Sequence, residues 1–209
     1  MIVLTDSDIV FKLAGCDLLN TFFEVINIPS KDILITSNAK SAIPKQAKKK
    51  ICDESVCDDI NNFVANVSVT PVVDYNLLAQ LQSFEGMDGG ESYLMLVAYQ
   101  VQDSYMATGD KRCLNSLIAN NHLPPVNDVY ESLKERVICL ESAFLILIEH
   151  VGFEIVHNKV MNRRLGKMND IVLQMAFSKQ SDIVRAKEYL NHYSKDVQEL
   201  LTPIDRLIV

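Results

Sequence analysis

A short apolar run, IVLT, ends at Asp6, and the following DIVFKLAGCDLLNTFFEVI carries apolar residues at helical spacing, so a strand followed by one helix is predicted. The step recurs. DILITS reads as a second strand, and Thr36, Ser37 and Asn38 offer caps for the lysine-bearing helix after it. Helices are expected from Glu54 to Ala65 and from Tyr75 to Phe84, with VSVTPVV a short strand or extended piece between them. In GMDGGESYLMLVAYQVQ a Gly-rich turn feeds a further helix whose expected N-cap is Asp88. SYMAT then reads as a buried strand, GDKRCLNSLIANN as a helix, RVICL as a strand, and ESAFLILIEHVGF as a helix with Glu141 at its start. Asp128 falls in a polar loop, and only helical patterns follow residue 157. Alternating strands and helices predict an α/β fold with a mostly parallel sheet and helices on both faces. The expected organisation is a domain over residues 1–156 and a helical C-terminal extension over 157–209.

Composition narrows the class. The chain has 209 residues, of which 48% are hydrophobic and 22% charged, with seven glycines and six prolines, so it can bury a core and is not disordered. Cys16, Cys52, Cys57, Cys113 and Cys139 form no CxxC pair, and their odd number and apolar neighbours suggest reduced core thiols. No apolar stretch is long enough for a membrane span, and no basic region or cleavage site opens the chain, which leads us to expect a cytoplasmic protein. A net charge of −7 opposes broad attraction to nucleic acid. Lys40, Lys45, Lys48, Lys49 and Lys50 make a local exception, and with Arg163, Arg164 and Lys167 they are candidates for guiding an RNA backbone, against the plainer reading of a solvated face.

The candidate chemistry is acidic. Ligands of open α/β sheets bind beyond the carboxyl ends of the strands. Asp6 and Asp8 follow the first strand, Asp110 follows SYMATG, Glu141 follows RVICL, and Asp88 and Glu91 start one helix. Gathered carboxylates repel unless protons or cations intervene, and hard oxygen ligands suit Mg²⁺ or Mn²⁺. Such ions activate water and stabilise charge on a phosphoryl group. Taken singly, an Asp at a strand-to-helix junction is more often a helix cap than a ligand, but caps do not explain why Asp6, Glu91 and Asp110 share one edge. Lys111 and Arg112, beside Asp110, are candidates for substrate phosphate contacts.

The order IVLTDSDIVFKLA, GMDGGESYLMLVAYQ, MATGDKRCLNSL and RVICLESAFLILI resembles the PIN-domain nucleases over about residues 1 to 155. The resemblance implies a three-layer α/β/α sandwich in which Asp6, Glu91 and Asp110 hold one or two divalent ions that activate water to cut RNA. It also implies that an antitoxin-like protein partner and a homodimer are worth testing. The sequence departs from the family's pattern where Lys111 stands in place of a frequent second acid, and Asp8 and Glu141 are the candidates to complete the metal shell.

Two other readings stay open. LTDSD and ILITSN also resemble haloacid-dehalogenase phosphatases, with Asp6 as nucleophile, Asp8 as general acid/base and Thr36 as phosphate ligand. A catalytically silent PIN-like module that binds a protein is the third reading. The tail from His157 offers amphipathic stretches for packing on the domain, dimerising or gripping a partner. His122, His150, His157 and His192 lack zinc spacing and read as structural or exposed, and Gly89-Gly90 reads as a tight turn.

Overall fold

The computed structural model describes residues 2–51, 53–87, 89–164 and 170–207. The expectations for Cys52, Asp88 and Lys167 lie outside these residues. The chain runs β1 (Ile2–Thr5), α1 (Ser7–Gly15), α2 (Leu19–Val25), β2 (Ile33–Ile35), α3 (Ser37–Lys50), α4 (Glu54–Asn66), β3 (Ser68–Val69), α5 (Tyr75–Gln82) and α6 (Gly89–Gln100). It continues through β4 (Ser104–Thr108), α7 (Lys111–Ala119), α8 (Val126–Leu133), β5 (Val137–Cys139), α9 (Leu140–Val151), α10 (Phe153–Met161), α11 (Ile171–Ala176), α12 (Ile183–Ser194) and α13 (Ile204–Leu207). Every predicted strand forms, and the five pair in the order β3-β2-β1-β4-β5, parallel throughout.

Side chains alternate across the pleat, so each strand feeds two cores. Val3, Ile33, Ile35, Ala107 and Ile138 point to one face, where α1, α4 and α9 supply Ile9, Phe11, Ile60 and Phe144. Leu4, Met106 and Val137 point to the other, where α6, α7 and α8 supply Met95, Leu114 and Val129. Helices therefore cover both faces of a fully parallel sheet, as buried strands of this composition require.

The chain leaves β1 toward β2 and β3 and later returns to β1's other side with β4. The order thus reverses between β1 and β4, which is where an open α/β sheet opens a crevice at its carboxyl edge.

Three expectations need correction. The single helix predicted after β1 is two, broken at Cys16 and Asp17, and Asp17 takes a positive φ of 53°. Asp128 sits on α8, not in a loop, because Val126, Val129, Tyr130 and Leu133 form one buried helical face. The boundary at residues 156 and 157 falls inside α10. Beyond it, Leu173, Phe177 and Leu190 enter the core of the first face, Val197 and Leu200 enter that of the second, and Leu201 forms a parallel bridge with Val137 at the sheet edge. Of the three roles open to the tail, packing on the domain is the one observed. Among the described residues, no helix is long and apolar enough to cross a membrane.

Candidate functional site at the carboxyl edge

Asp6 ends β1, and its position explains its chemistry. Its main-chain N–H donates to the Ala107 carbonyl at 3.1 Å, which docks it against the last residues of β4. Its Oδ1 accepts from the Ile9 N–H at 2.8 Å and so caps α1. Its Oδ2 accepts from the Thr108 hydroxyl at 2.6 Å and the Gly109 N–H at 2.9 Å. Asp6 is therefore both a helix cap and the tie between β1 and β4 at the switch point. Only 5% of its surface is exposed. Burial raises its carboxyl pKa above the usual range and the nearby charge of Asp8 adds to this, against the three hydrogen bonds, which lower it.

The raised pKa fixes a sign. A carboxyl that binds its proton more tightly when folded contributes stability that is fully present below its unfolded value of 3.8 and lost as pH rises through its folded value. Wild type should therefore gain stability relative to Asp6→Asn as pH falls from 7 toward 4. Urea unfolding of both proteins across that range checks this, and a constant difference would show that Asp6 is not held in an environment that raises its pKa.

Asp110 ends the same crevice from the β4 side. It caps α7, its Oδ1 accepting from the N–H groups of Arg112 at 2.9 Å and Cys113 at 3.4 Å, while its Oδ2 meets the Arg112 guanidinium at 3.0 Å. Thr108 links the two acids, because its hydroxyl donates to Asp6 and accepts from the Asp110 N–H at 3.1 Å. A Cβ at Gly109 would fall on the end of the Asp8 carboxylate, so a larger residue there would displace that side chain.

Asp8 is paired with Lys12 at 2.6 Å, one helical turn on, and Lys12 also reaches Asp170, the N-cap of α11, at 2.7 Å. Burial works against the Lys12 charge, but Asp8 and Asp170 outweigh it and hold the ammonium above its usual range. Glu141, in the first turn of α9, is 2% exposed and is paired with Lys111 at 2.5 Å. Its other oxygen is buried with no hydrogen-bond partner. Burial pushes the neighbouring Cys139 thiol up to about 12, with the Glu141 charge adding to it, so this cysteine is no thiolate nucleophile. Cys16, Cys57 and Cys113 are likewise buried free thiols.

Glu91 lies half-buried in the first turn of α6. That helix packs on β1 and β4 and ends just before β4 begins, so its first turn, about 18 Å back along the axis, belongs to the carboxyl side of the sheet. Thr36 also faces this edge, at the end of β2, where its hydroxyl accepts from the Ala39 N–H at 3.1 Å as the cap of α3. Lys48, Lys49 and Lys50 occupy the last turn of α3, about 20 Å of helix away from that cap.

The structure thus joins Asp6 to Asp110 through Thr108 and Gly109, brings Asp8 against Gly109, and joins Glu141 to Lys111. Among the described residues, no three His, Cys, Asp or Glu side chains are grouped so as to hold a metal ion. The donor set is all carboxylate, which suits a hard cation, and Asp6 Oδ1, which accepts from the Ile9 N–H, retains a lone pair. Asp8, Asp110 and Glu141, however, are each already paired with Lys12, Arg112 or Lys111. These internal cations were the part of the site that the sequence reading missed. The Asp8 to Lys12 spacing of one helical turn signalled one of them. Nothing in the sequence signalled Asp170 or the Tyr193 carbonyl, which accepts from Lys111 at 2.6 Å. Lys111 is accordingly turned inward, whereas the Arg112 side chain, 84% exposed, faces solvent beside Asp110.

Fold and site together define an all-parallel α/β protein with acidic residues at the carboxyl edge of its topological switch point. Comparison with protein-family models, with curated proteins and with solved structures returned no match.

Proposed function

We propose that this protein is a PIN-like, divalent-metal-dependent nuclease that acts on RNA in preference to DNA, with its site at the carboxyl edge between β1 and β4. The observation that carries the reading is the junction of Asp6 and Asp110, two acids from separate strand ends held together at the switch point by Thr108 and Gly109. Asp6, Glu91 and Asp110 would hold Mg²⁺ or Mn²⁺, with Asp8 beside them. A bound ion of this kind supplies an activated water and neutralises charge on the phosphoryl oxygens. The chain's own part is to fix the acids in advance. Asp6 is oriented through both oxygens, Asp110 is oriented by the first turn of α7, and Arg112 offers its exposed guanidinium to a substrate phosphate.

The phosphatase alternative asks Asp6 to attack phosphorus. A buried carboxylate whose two oxygens accept three hydrogen bonds is a poor nucleophile, which counts against that reading. A silent binding module has one specific observation in its favour, namely the internal cations that already neutralise Asp8, Asp110 and Glu141.

Cleavage of a labelled single-stranded RNA separates these readings. With Mn²⁺ the wild-type protein should cut and with chelator it should not, and Asp110→Asn should lower the rate by roughly a hundredfold or more while the protein stays folded. Equal cutting by Asp110→Asn would refute the assignment. No cutting by wild type, with metal-dependent turnover of a small phosphate ester, would favour the phosphatase, and neither activity would favour the binding module.

A further inference from the structure

Glu141 was expected to complete a metal shell, but its surroundings point elsewhere. Its carboxylate has left water almost completely, and a buried charge of this kind is costly unless an opposite charge stands beside it. Lys111 is that charge. Its ammonium meets Glu141 Oε1 at 2.5 Å and the Tyr193 carbonyl at 2.6 Å, and it lies 5.6 Å from the centre of the Tyr193 ring. Tyr193 belongs to the last turn of α12, where carbonyls lack intrahelical partners and a cation is favoured. A metal ion on the same carboxylate would have to share it with an ammonium already in contact, and the two like charges would repel.

Lys111 is also the first residue of α7, directly after Asp110. The turn that presents Asp110 is therefore fixed twice, from within by the cap hydrogen bonds and from outside by the side chain of Lys111. We propose that Glu141 is a positioning residue which, through Lys111, anchors the first turn of α7 to α9 and α12 and so sets the orientation of Asp110. The role rests on the nuclease reading above. It also gives the C-terminal segment a function at the site, since Tyr193 supplies the second anchor of Lys111.

The test uses the full chain as Glu141→Gln, Lys111→Met, Lys111→Arg and the double variant Glu141→Gln/Lys111→Met, which leaves no buried charge alone. Three quantities are measured: kcat and KM on labelled RNA, Mn²⁺ affinity by calorimetric titration, and urea unfolding. Misplacing a catalytic group by about an ångström costs on the order of a hundredfold in rate. Glu141→Gln should therefore lower kcat by roughly ten- to a hundredfold with KM nearly unchanged, and should weaken Mn²⁺ binding much less than Asp110→Asn, which removes the ligand itself. Lys111→Met should match it, the double variant should be no worse than either single one, and Lys111→Arg should recover much of the rate. Three outcomes overturn the proposal while leaving the nuclease reading intact: a Mn²⁺ affinity that falls with Glu141→Gln as it does with Asp110→Asn, rate losses that add in the double variant, or an unchanged kcat. A wild-type protein that neither binds Mn²⁺ nor cuts RNA removes the nuclease reading and this role together.

Discussion

Replacing Phe177 with alanine is expected to lower the stability of the whole chain by about 3–5 kcal/mol, the usual cost of emptying a buried phenylalanine site. Phe177 follows α11, in the segment expected from sequence to be an extension, yet it is fully buried. Its ring lies 5.5 Å from that of Phe144 on α9 and 6.3 Å from that of Phe153 on α10. Phe144 belongs to the core that also contains Val3 and Ala107 of the two central strands, so a void at Phe177 is felt at the sheet. Urea unfolding should show one transition, shifted to lower denaturant. A loss below about 1 kcal/mol, or a separate early transition for the tail, would mean that the C-terminal helices fold as an independent unit.

Arg136→Met should cost about 3 kcal/mol for a different reason. The Arg136 guanidinium bonds the carbonyls of Ser104, Ser132, Ala98 and Val101, each at 2.8 Å, and the Ser104 hydroxyl at 3.1 Å. Ala98 lies in the last turn of α6, Val101 just after that helix, and Ser132 in the last turn of α8, so a single side chain satisfies the carbonyl ends of two helices and fastens them to the start of β4. Burial pulls the guanidinium pKa below its usual value, with Tyr105 and Asp103 opposing, and an arginine in a protein keeps its charge. Methionine would fill part of the volume and leave the carbonyls without donors. Thermal unfolding measures the loss, and Arg136→Lys should recover only part of it, since one ammonium cannot span the carbonyls that the planar fork reaches. Equal stability of Arg136→Met and wild type would contradict the clamp.

The strand and helix order was legible because its signals are local. Apolar runs of three to five residues between polar breaks marked β1, β2, β4 and β5, and Thr36 and Asp110 at the strand ends marked the caps, whereas the two-residue β3 left a weaker signal. The errors have physical causes. Helical apolar spacing continues through Cys16 and Asp17, so the break there is invisible to periodicity, while the left-handed turn at Asp17 is set by how α1 and α2 pack. The helix α8 was hidden by the polar surroundings of Asp128, although Val126, Val129, Tyr130 and Leu133 already had helical spacing.

At the site, sequence placed Asp6 and Asp110 at strand ends, and the sheet order supplied the reason that they meet. The partners of the acids were less legible, since Lys12 with Asp170 and Lys111 with Tyr193 join residues far apart along the chain. Charge patterning reads only neighbours on one helix, so the most it can signal here is Asp8 with Lys12, a pairing the sequence analysis did not draw.

The proposed nuclease requires a divalent ion at the acidic carboxyl edge between β1 and β4. Crystals grown with Mn²⁺ and measured at the manganese absorption edge test it most directly. An anomalous peak is expected among the carboxylates of Asp6, Glu91 and Asp110, absent from crystals of Asp110→Asn. A crevice without a peak in the wild-type crystals, with Lys12 and Lys111 still on their acids, would contradict it and leave a protein that balances its acidic edge with its own lysines.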